Sequence, residues 1–61
     1  MKITYIGETR ATQTVDGKDI KLENGAQLEC MEKEYHSATT VRAVLPSGEH
    51  VKVKRSEVKK V

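Results

Sequence analysis

The sequence predicts an all-β fold of five strands, with one short 3₁₀ turn before the last strand. Apolar residues recur at every second position in several short runs, which is the pattern of strands buried on one face. Gly-containing turns separate these runs, and no segment has the periodicity of an amphipathic helix. With 61 residues there is room for one domain, which we place at residues 1–61.

The first part of the chain predicts one strand and one hairpin. A strand at residues 2–6 places Ile3 and Tyr5 on one face, and a glycine ends it. Residues 9–22 form a hairpin-like excursion that turns at Asp16-Gly17, a pair typical of tight turns. This segment has few apolar residues, so we expect an exposed, mobile loop.

The middle of the chain predicts a strand between two turns. After an Asn24-Gly25 turn, residues 26–31 alternate between apolar and polar side chains, with Leu28 and Cys30 on the apolar face. Tyr35, His36 and Ser37 are interpreted as the next turn. Residues 39–45 are rich in β-branched side chains and continue the sheet.

The last hairpin has a register that can be argued from its turn. A three-residue loop, Pro46-Ser47-Gly48, fits a type I turn followed by a glycine in the left-handed region. This loop pairs Ala43 with Val51 and Val41 with Val53, so that both pairs face inward. A slip by one residue would bury lysines instead. Arg55-Ser56-Glu57 then predicts the 3₁₀ turn.

The same reasoning pairs Cys30 with Val41 and Leu28 with Ala43. The outer face would then carry Glu29, Arg42 and Lys52 in a row across three strands, with an attractive pair beside a like-charge pair. The side chains expected to face inward are Ile3, Tyr5, Ile20, Leu22, Leu28, Cys30, Val41, Ala43, Val51, Val53 and Val58.

Composition bounds the class of protein. Only 36% of the residues are hydrophobic and 33% are charged, so disorder is an alternative, but the ordered alternation favours a folded domain. Cys30 is the one cysteine and cannot form an internal disulfide; with the two histidines it fits no metal-binding spacing. A lone thiol and no signal peptide are expectations for the cytoplasm, and no apolar run predicts a membrane span.

Residues 19–61 resemble SH3 domains, and residues 1–18 do so loosely. The diverging turn of that family is matched by Asp19-Ile20, Leu22, Gly25, Leu28 and Cys30; its closing 3₁₀ turn and strand are matched by Val53, residues 54–57 and Val58. The resemblance implies an SH3-like five-strand barrel. Small free-standing proteins of this kind act as accessory or regulatory factors, including in phages and other mobile elements.

The chain departs from that family in its ligand-binding residues. SH3 domains read Pro-rich peptides with an aromatic groove. This chain has no Trp and no Phe; the family's Trp position falls near Thr39 or Thr40, its Pro at Lys54 and its Tyr at Glu57. We therefore expect no binding of Pro-rich peptides.

No catalytic, cofactor or metal site is predicted. Cys30 is interpreted as a core residue, His36 as a turn residue and His50 as an outward residue. Glu32 and Glu34 would share a strand face, as in any acidic strand. We expect the protein not to be an enzyme.

The basic charge is concentrated near the end of the chain. Residues 50–61 carry five Lys or Arg and one Glu, whereas residues 1–49 carry six and eight, so the net charges are +4 and −2. This asymmetry indicates an anionic partner or an ordinary solvated surface. The candidate binding residues are Arg42, Lys52, Lys54, Arg55, Lys59 and Lys60, with Tyr35 and His36 as loop contacts.

The leading functional hypothesis is a monomeric interaction module that docks on a larger protein. The alternative is a nucleic-acid binder that uses the basic C-terminal edge to contact the phosphate backbone with little sequence specificity. For this alternative Tyr35 is the one aromatic side chain expected to be exposed for base stacking. A third reading is a structural subunit that is joined to others by its sheet edges.

Overall fold

The computed structural model describes residues 1–61 and confirms the all-β class. The elements in chain order are β1 (Lys2–Tyr5), β2 (Arg10–Gln13), β3 (Asp19–Leu22), β4 (Gln27–Cys30), α1 (Glu32–Ser37), β5 (Thr40–Val44), β6 (His50–Lys54), η1 (Arg55–Glu57) and β7 (Val58–Lys60). The 3₁₀ turn η1 lies where the sequence predicted it.

Five strands form one antiparallel sheet in the order β6-β5-β4-β1-β7, and β2 and β3 form a separate hairpin. Strand β1 is internal and pairs with β4 on one side and β7 on the other. The β1–β7 pairing brings residues 2 and 61 together, because Val61 N–H donates to Lys2 O at 3.2 Å. The hairpin turn is tied to β6 through Val15 N–H, which donates to His50 O at 2.8 Å.

One apolar core lies between the inner face of the sheet and the hairpin. The predicted inward residues are buried, apart from Ile20, which is half-buried. Tyr35 adds a large side chain to this core that the sequence analysis placed in an exposed turn.

The β5–β6 hairpin has the predicted register and turn. Val41 lies opposite Val53, and Ala43 lies opposite Val51. Gly48 has a φ of +92°, where a side chain would be strained, and its N–H donates to Leu45 O at 2.8 Å.

The predicted β4–β5 register is wrong by two residues. Cys30 lies opposite Ala43 rather than Val41, and Glu29 lies opposite Val44 rather than Arg42. A shift of two residues keeps the same side chains inward, so alternation alone could not detect it. The expected attractive pair between Glu29 and Arg42 is replaced by Glu29 opposite Lys2 of β1.

The expectation of a turn at residues 35–37 and a strand at the two preceding glutamates is also wrong. Residues 32–37 form α1, whose one buried residue is Tyr35. Glu32, Lys33 and Glu34 are good helix formers, but a helix with a single buried position has no visible apolar period. No helix of the protein has the length and apolar character needed to cross a membrane.

Candidate functional site

The six basic candidate residues do not form one continuous edge. Three lie on β5 and β6 at one side of the sheet, two lie on β7 at the opposite side, and one lies in η1 between these strands. In that order they are Arg42, Lys52 and Lys54; Lys59 and Lys60; and Arg55.

The β5–β6 group is the densest of the exposed cationic surfaces. Arg42 lies directly opposite Lys52, and Lys54 lies opposite Thr40. All three cations are exposed, and none of them forms an ion pair, because the ion pairs of the protein involve other side chains. Like charges on facing strands repel, so this group would be stabilised by an acidic partner.

Arg55 has a structural position rather than a free one. Its guanidinium carbon stacks over the Tyr35 ring at 3.5 Å from the centroid. Its Nε donates to Tyr35 O at 2.8 Å, and its Nη1 donates to Val58 O at 3.1 Å. The side chain is therefore held in place, yet no carboxylate forms an ion pair with it.

Tyr35 and Arg55 together cover the open edge of β7. Lys60 N–H donates to Tyr35 Oη at 3.0 Å, and Val58 O accepts from Arg55. An unpaired sheet edge exposes backbone donors and acceptors, and these contacts satisfy two of them. Tyr35 is only 8% exposed, so the prediction of an exposed loop contact is wrong for this residue. His36 is exposed, with its ring edge-on to Tyr35 at 5.3 Å between centroids.

A shallow groove crosses the outer face of β4, β5 and β6, and we call this surface the outer β4–β6 face. The groove has a volume of about 410 Å³ and is lined by Met31, Val44, Arg42, Glu34 and His50, among others. Met31 is 68% exposed, and Val44 is half-buried. The sequence analysis did not single out Met31 or Val44, although strand alternation places Val44 on the outward side of β5.

Glu34 connects α1 to this face. Strand β4 ends at Cys30, so Arg42 N–H has no strand partner beyond that point, and Glu34 Oε2 accepts it at 3.3 Å. This contact places a carboxylate beside the cationic group. The outer β4–β6 face therefore carries both signs of charge around a small apolar centre.

Glu57 is neutralised by Arg10 of the hairpin. The two side chains form a bidentate ion pair, and Glu57 Oε1 also accepts Lys54 N–H at 3.2 Å. The hydrogen bond from Arg10 holds the pKa of Glu57 below its usual value, and the backbone bond from Lys54 acts in the same direction. The hairpin and η1 are tied together by this pair.

Cys30 is buried, as predicted, with 8% of its surface exposed. Burial raises the pKa of its thiol, which disfavours the reactive thiolate. No group of three or more His, Cys, Asp or Glu side chains is placed to hold a metal ion.

The arrangement as a whole offers surfaces for binding: an apolar centre with mixed charges on one face, and a fixed arginine beside η1. Comparisons of the chain with protein-family models, with curated proteins and with solved structures find no match.

Proposed function

We propose that the protein is a small non-enzymatic interaction module that docks on a larger protein through its outer β4–β6 face. The observation that carries this proposal is the exposure of Met31 next to Val44, in a groove rimmed by charges of both signs. Met and Arg are enriched in protein interfaces, and a flexible thioether adapts to varied partner surfaces.

The charges on this face favour a protein over a polyanion. Glu29 and Glu34 line the same groove as Arg42 and His50. A phosphate backbone would be repelled by these carboxylates, whereas a protein surface can present both signs in a complementary arrangement.

An SH3-like barrel is the fold assignment that we propose with this function. Its support is the strand order β6-β5-β4-β1-β7, the β2–β3 hairpin inserted after the first strand, and η1 placed before the last strand. Folds of this class host many functions, so the assignment does not by itself specify the partner.

The absence of enzymatic activity is part of the proposal, and the environment of the potential nucleophile supports it. Cys30 is buried, its thiol pKa is raised, and no side chain donates to it or accepts from it as an orienting base would. The histidines lie on the surface, where His36 faces Glu32 at 3.8 Å.

The proposal is tested by site-specific photo-crosslinking. A photoreactive amino acid at position 31 should capture one defined protein from a lysate of the source cells, because Met31 lies at the centre of the face. The same group at position 21, on the exposed hairpin strand β3, is the matched control.

A second variant checks that capture reflects the face and not the probe. Val44→Glu, combined with the probe at position 31, should abolish capture because it places a charge in the apolar centre. Equal capture from positions 31 and 21, or capture that survives Val44→Glu, would contradict the proposal.

Nucleic-acid binding is a second candidate, favoured by one observation. Arg42, Lys52 and Lys54 are exposed on adjacent strands without ion-pair partners, which is an arrangement that phosphates can neutralise. Both tyrosines of the chain are buried, so neither is available to stack on a base. This candidate therefore concerns the sugar-phosphate backbone alone.

A further inference from the structure

A second groove lies between the first residues of β5 and the turn η1, and we call it the η1 groove. Its volume is about 570 Å³, and the polar residues that line it are Thr39, Thr40, Lys54, Arg55 and Ser56. No carboxylate lines it, in contrast to the grooves on the outer face of the sheet. It thus combines two cations with three hydroxyl groups.

Arg55 is the fixed element of this groove. Stacking on Tyr35 and two hydrogen bonds to backbone carbonyls hold its guanidinium in one position. A guanidinium has five N–H donors, so further donors remain for a ligand. A cation that is already immobilised loses little side-chain entropy when it binds an anion.

The hydroxyl groups of the η1 groove are also free. Thr39, Thr40 and Ser56 make none of the side-chain hydrogen bonds that other Ser and Thr residues of the protein make. Each hydroxyl can therefore donate to a bound oxygen atom.

The neighbouring carboxylate does not compensate the positive charge of the groove. Glu57 follows Ser56 in the chain, but both of its oxygen atoms bind Arg10 of the hairpin. Lys54 is exposed and has no ion pair. Two positive charges therefore face the groove without a matching negative charge.

We propose that the η1 groove binds a phosphate monoester carried by a Ser or Thr side chain of the docked protein. A phosphate monoester carries close to two negative charges at neutral pH and has three acceptor oxygens, which matches two cations and several hydroxyl donors. A carboxylate or a phosphodiester carries one charge and would leave one cation unmatched. The choice of a protein as the source of the phosphate rests on the proposed function.

The test is an NMR titration of the ¹⁵N-labelled protein with a short glycine-flanked phosphoserine peptide. Saturable shifts should be concentrated at the amides of Thr39, Thr40, Lys54 and Ser56. The same peptide with Glu in place of phosphoserine should bind about tenfold more weakly, and the Ser peptide should not bind measurably. A 5′-phosphorylated oligonucleotide is the arm that tests nucleic acid as the source.

Two exposed positions supply the variants, because Arg55 also holds the edge of β7. Lys54→Gln should weaken phosphopeptide binding about tenfold and Ser56→Ala about threefold. Lys59→Gln makes the same charge change on the opposite side of the sheet and should leave binding within about twofold.

Three results would overturn the inference: shifts spread over all the lysine-bearing surfaces, equal losses from Lys54→Gln and Lys59→Gln, or tighter binding of the oligonucleotide than of the phosphopeptide. The proposed function is judged separately. Crosslinking at position 31 without phosphopeptide binding would overturn the η1 groove alone, and phosphopeptide binding without crosslinking would support the groove and contradict the docking face.

Discussion

Tyr5 lies at the centre of the core, and its environment is set by the glycine two residues later. The ring is fully buried, and its hydroxyl donates to Glu8 O at 2.6 Å. A methyl group at position 7 would lie 2.7 Å from the Tyr5 hydroxyl oxygen and 2.8 Å from Cζ. Position 7 therefore requires glycine because of close packing rather than because of its backbone angles.

Gly7→Ala should destabilise the protein by about 1–3 kcal/mol, since a buried and hydrogen-bonded ring cannot move away without cost. Urea denaturation followed by circular dichroism measures the loss. In a Tyr5→Leu background the same substitution should cost much less, because the atoms that it meets are gone. An equal cost in both backgrounds would contradict the packing explanation.

Cys30 should react with a thiol reagent far more slowly than a cysteine in an unfolded peptide at neutral pH. Burial limits access, and the raised thiol pKa lowers the fraction of thiolate. The control is Met31→Cys in a Cys30→Ala background, which moves the thiol to an exposed position. Labelling of Cys30 at the rate of that control would show that the site opens readily.

Glu57 should make stability depend on pH in the acid range. Its pKa is lowered by Arg10, so its contribution is complete above the ordinary value of about 4.3 and is lost as pH falls through the lowered value. Glu57→Gln should therefore reduce the free energy of unfolding by about 0.5–1 kcal/mol at neutral pH, a modest loss because Arg10 is substantially exposed.

Denaturation of wild-type and Glu57→Gln proteins between neutral pH and about pH 3 checks this dependence. The two stabilities should converge at the acid end and also at high salt, which screens the pair. A constant difference across the whole pH range would mean that packing, and not the charge, explains the effect.

At the scale of elements, α1 acts as the cover of a strand edge. The helix has only six residues, and its one buried side chain, Tyr35, contacts both η1 and β7. Such a short helix is marginal alone, so its stability comes from these tertiary contacts. In turn, β7 has its outer backbone groups satisfied by the helix and by Arg55.

Tyr35→Phe should speed hydrogen exchange at the Lys60 amide while leaving the inner sheet amides protected. The substitution keeps the ring under Arg55 but removes the oxygen that accepts Lys60 N–H. The expected loss of global stability is about 0.5–1.5 kcal/mol, the usual net value of one hydrogen bond. His36→Ala, at the exposed neighbour, is the control, and unchanged exchange at Lys60 in Tyr35→Phe would contradict the edge-cover role.

The elements also differ in how far the sequence predicts them. The β5–β6 hairpin was predictable because Pro46-Ser47-Gly48 sets both the turn type and the register. The β4–β5 pairing was not, since a two-residue shift leaves the buried face unchanged and no tight turn joins these strands. Helix α1 and the cation–π contact of Arg55 with Tyr35 depend on residues twenty positions apart, which no local pattern reveals.

At the scale of the whole molecule, the distribution of charge decides how the protein meets polyanions. Arg42, Lys52 and Lys54 lie on one side of the sheet, and Lys59 and Lys60 lie on the other. Glu34 lies next to the first group. A nucleic acid would therefore contact about three cations at once, and the affinity gained from releasing counterions would be small.

We expect no saturable binding of duplex or single-stranded DNA with a dissociation constant below about 1 μM at physiological salt. Fluorescence anisotropy with labelled DNA over a range of salt concentrations measures this. Any weak binding should lose salt dependence when Lys52 and Lys54 become Gln, by a log–log slope of about 0.9 per contact on duplex DNA. Lys21→Gln on the hairpin is the control, and tight, saturable binding would favour the nucleic-acid candidate instead.

The pairing of β1 with β7 also determines how the chain can be rewired. Residues 2 and 61 are hydrogen-bonded neighbours, so a short linker could join the two ends, and the exposed Asp16-Gly17 turn offers a place to reopen the chain. In such a circular permutant, the most distant pairing in the sequence becomes a local hairpin. The entropic cost of closing that loop falls, and folding should accelerate while the five-stranded sheet keeps every strand neighbour.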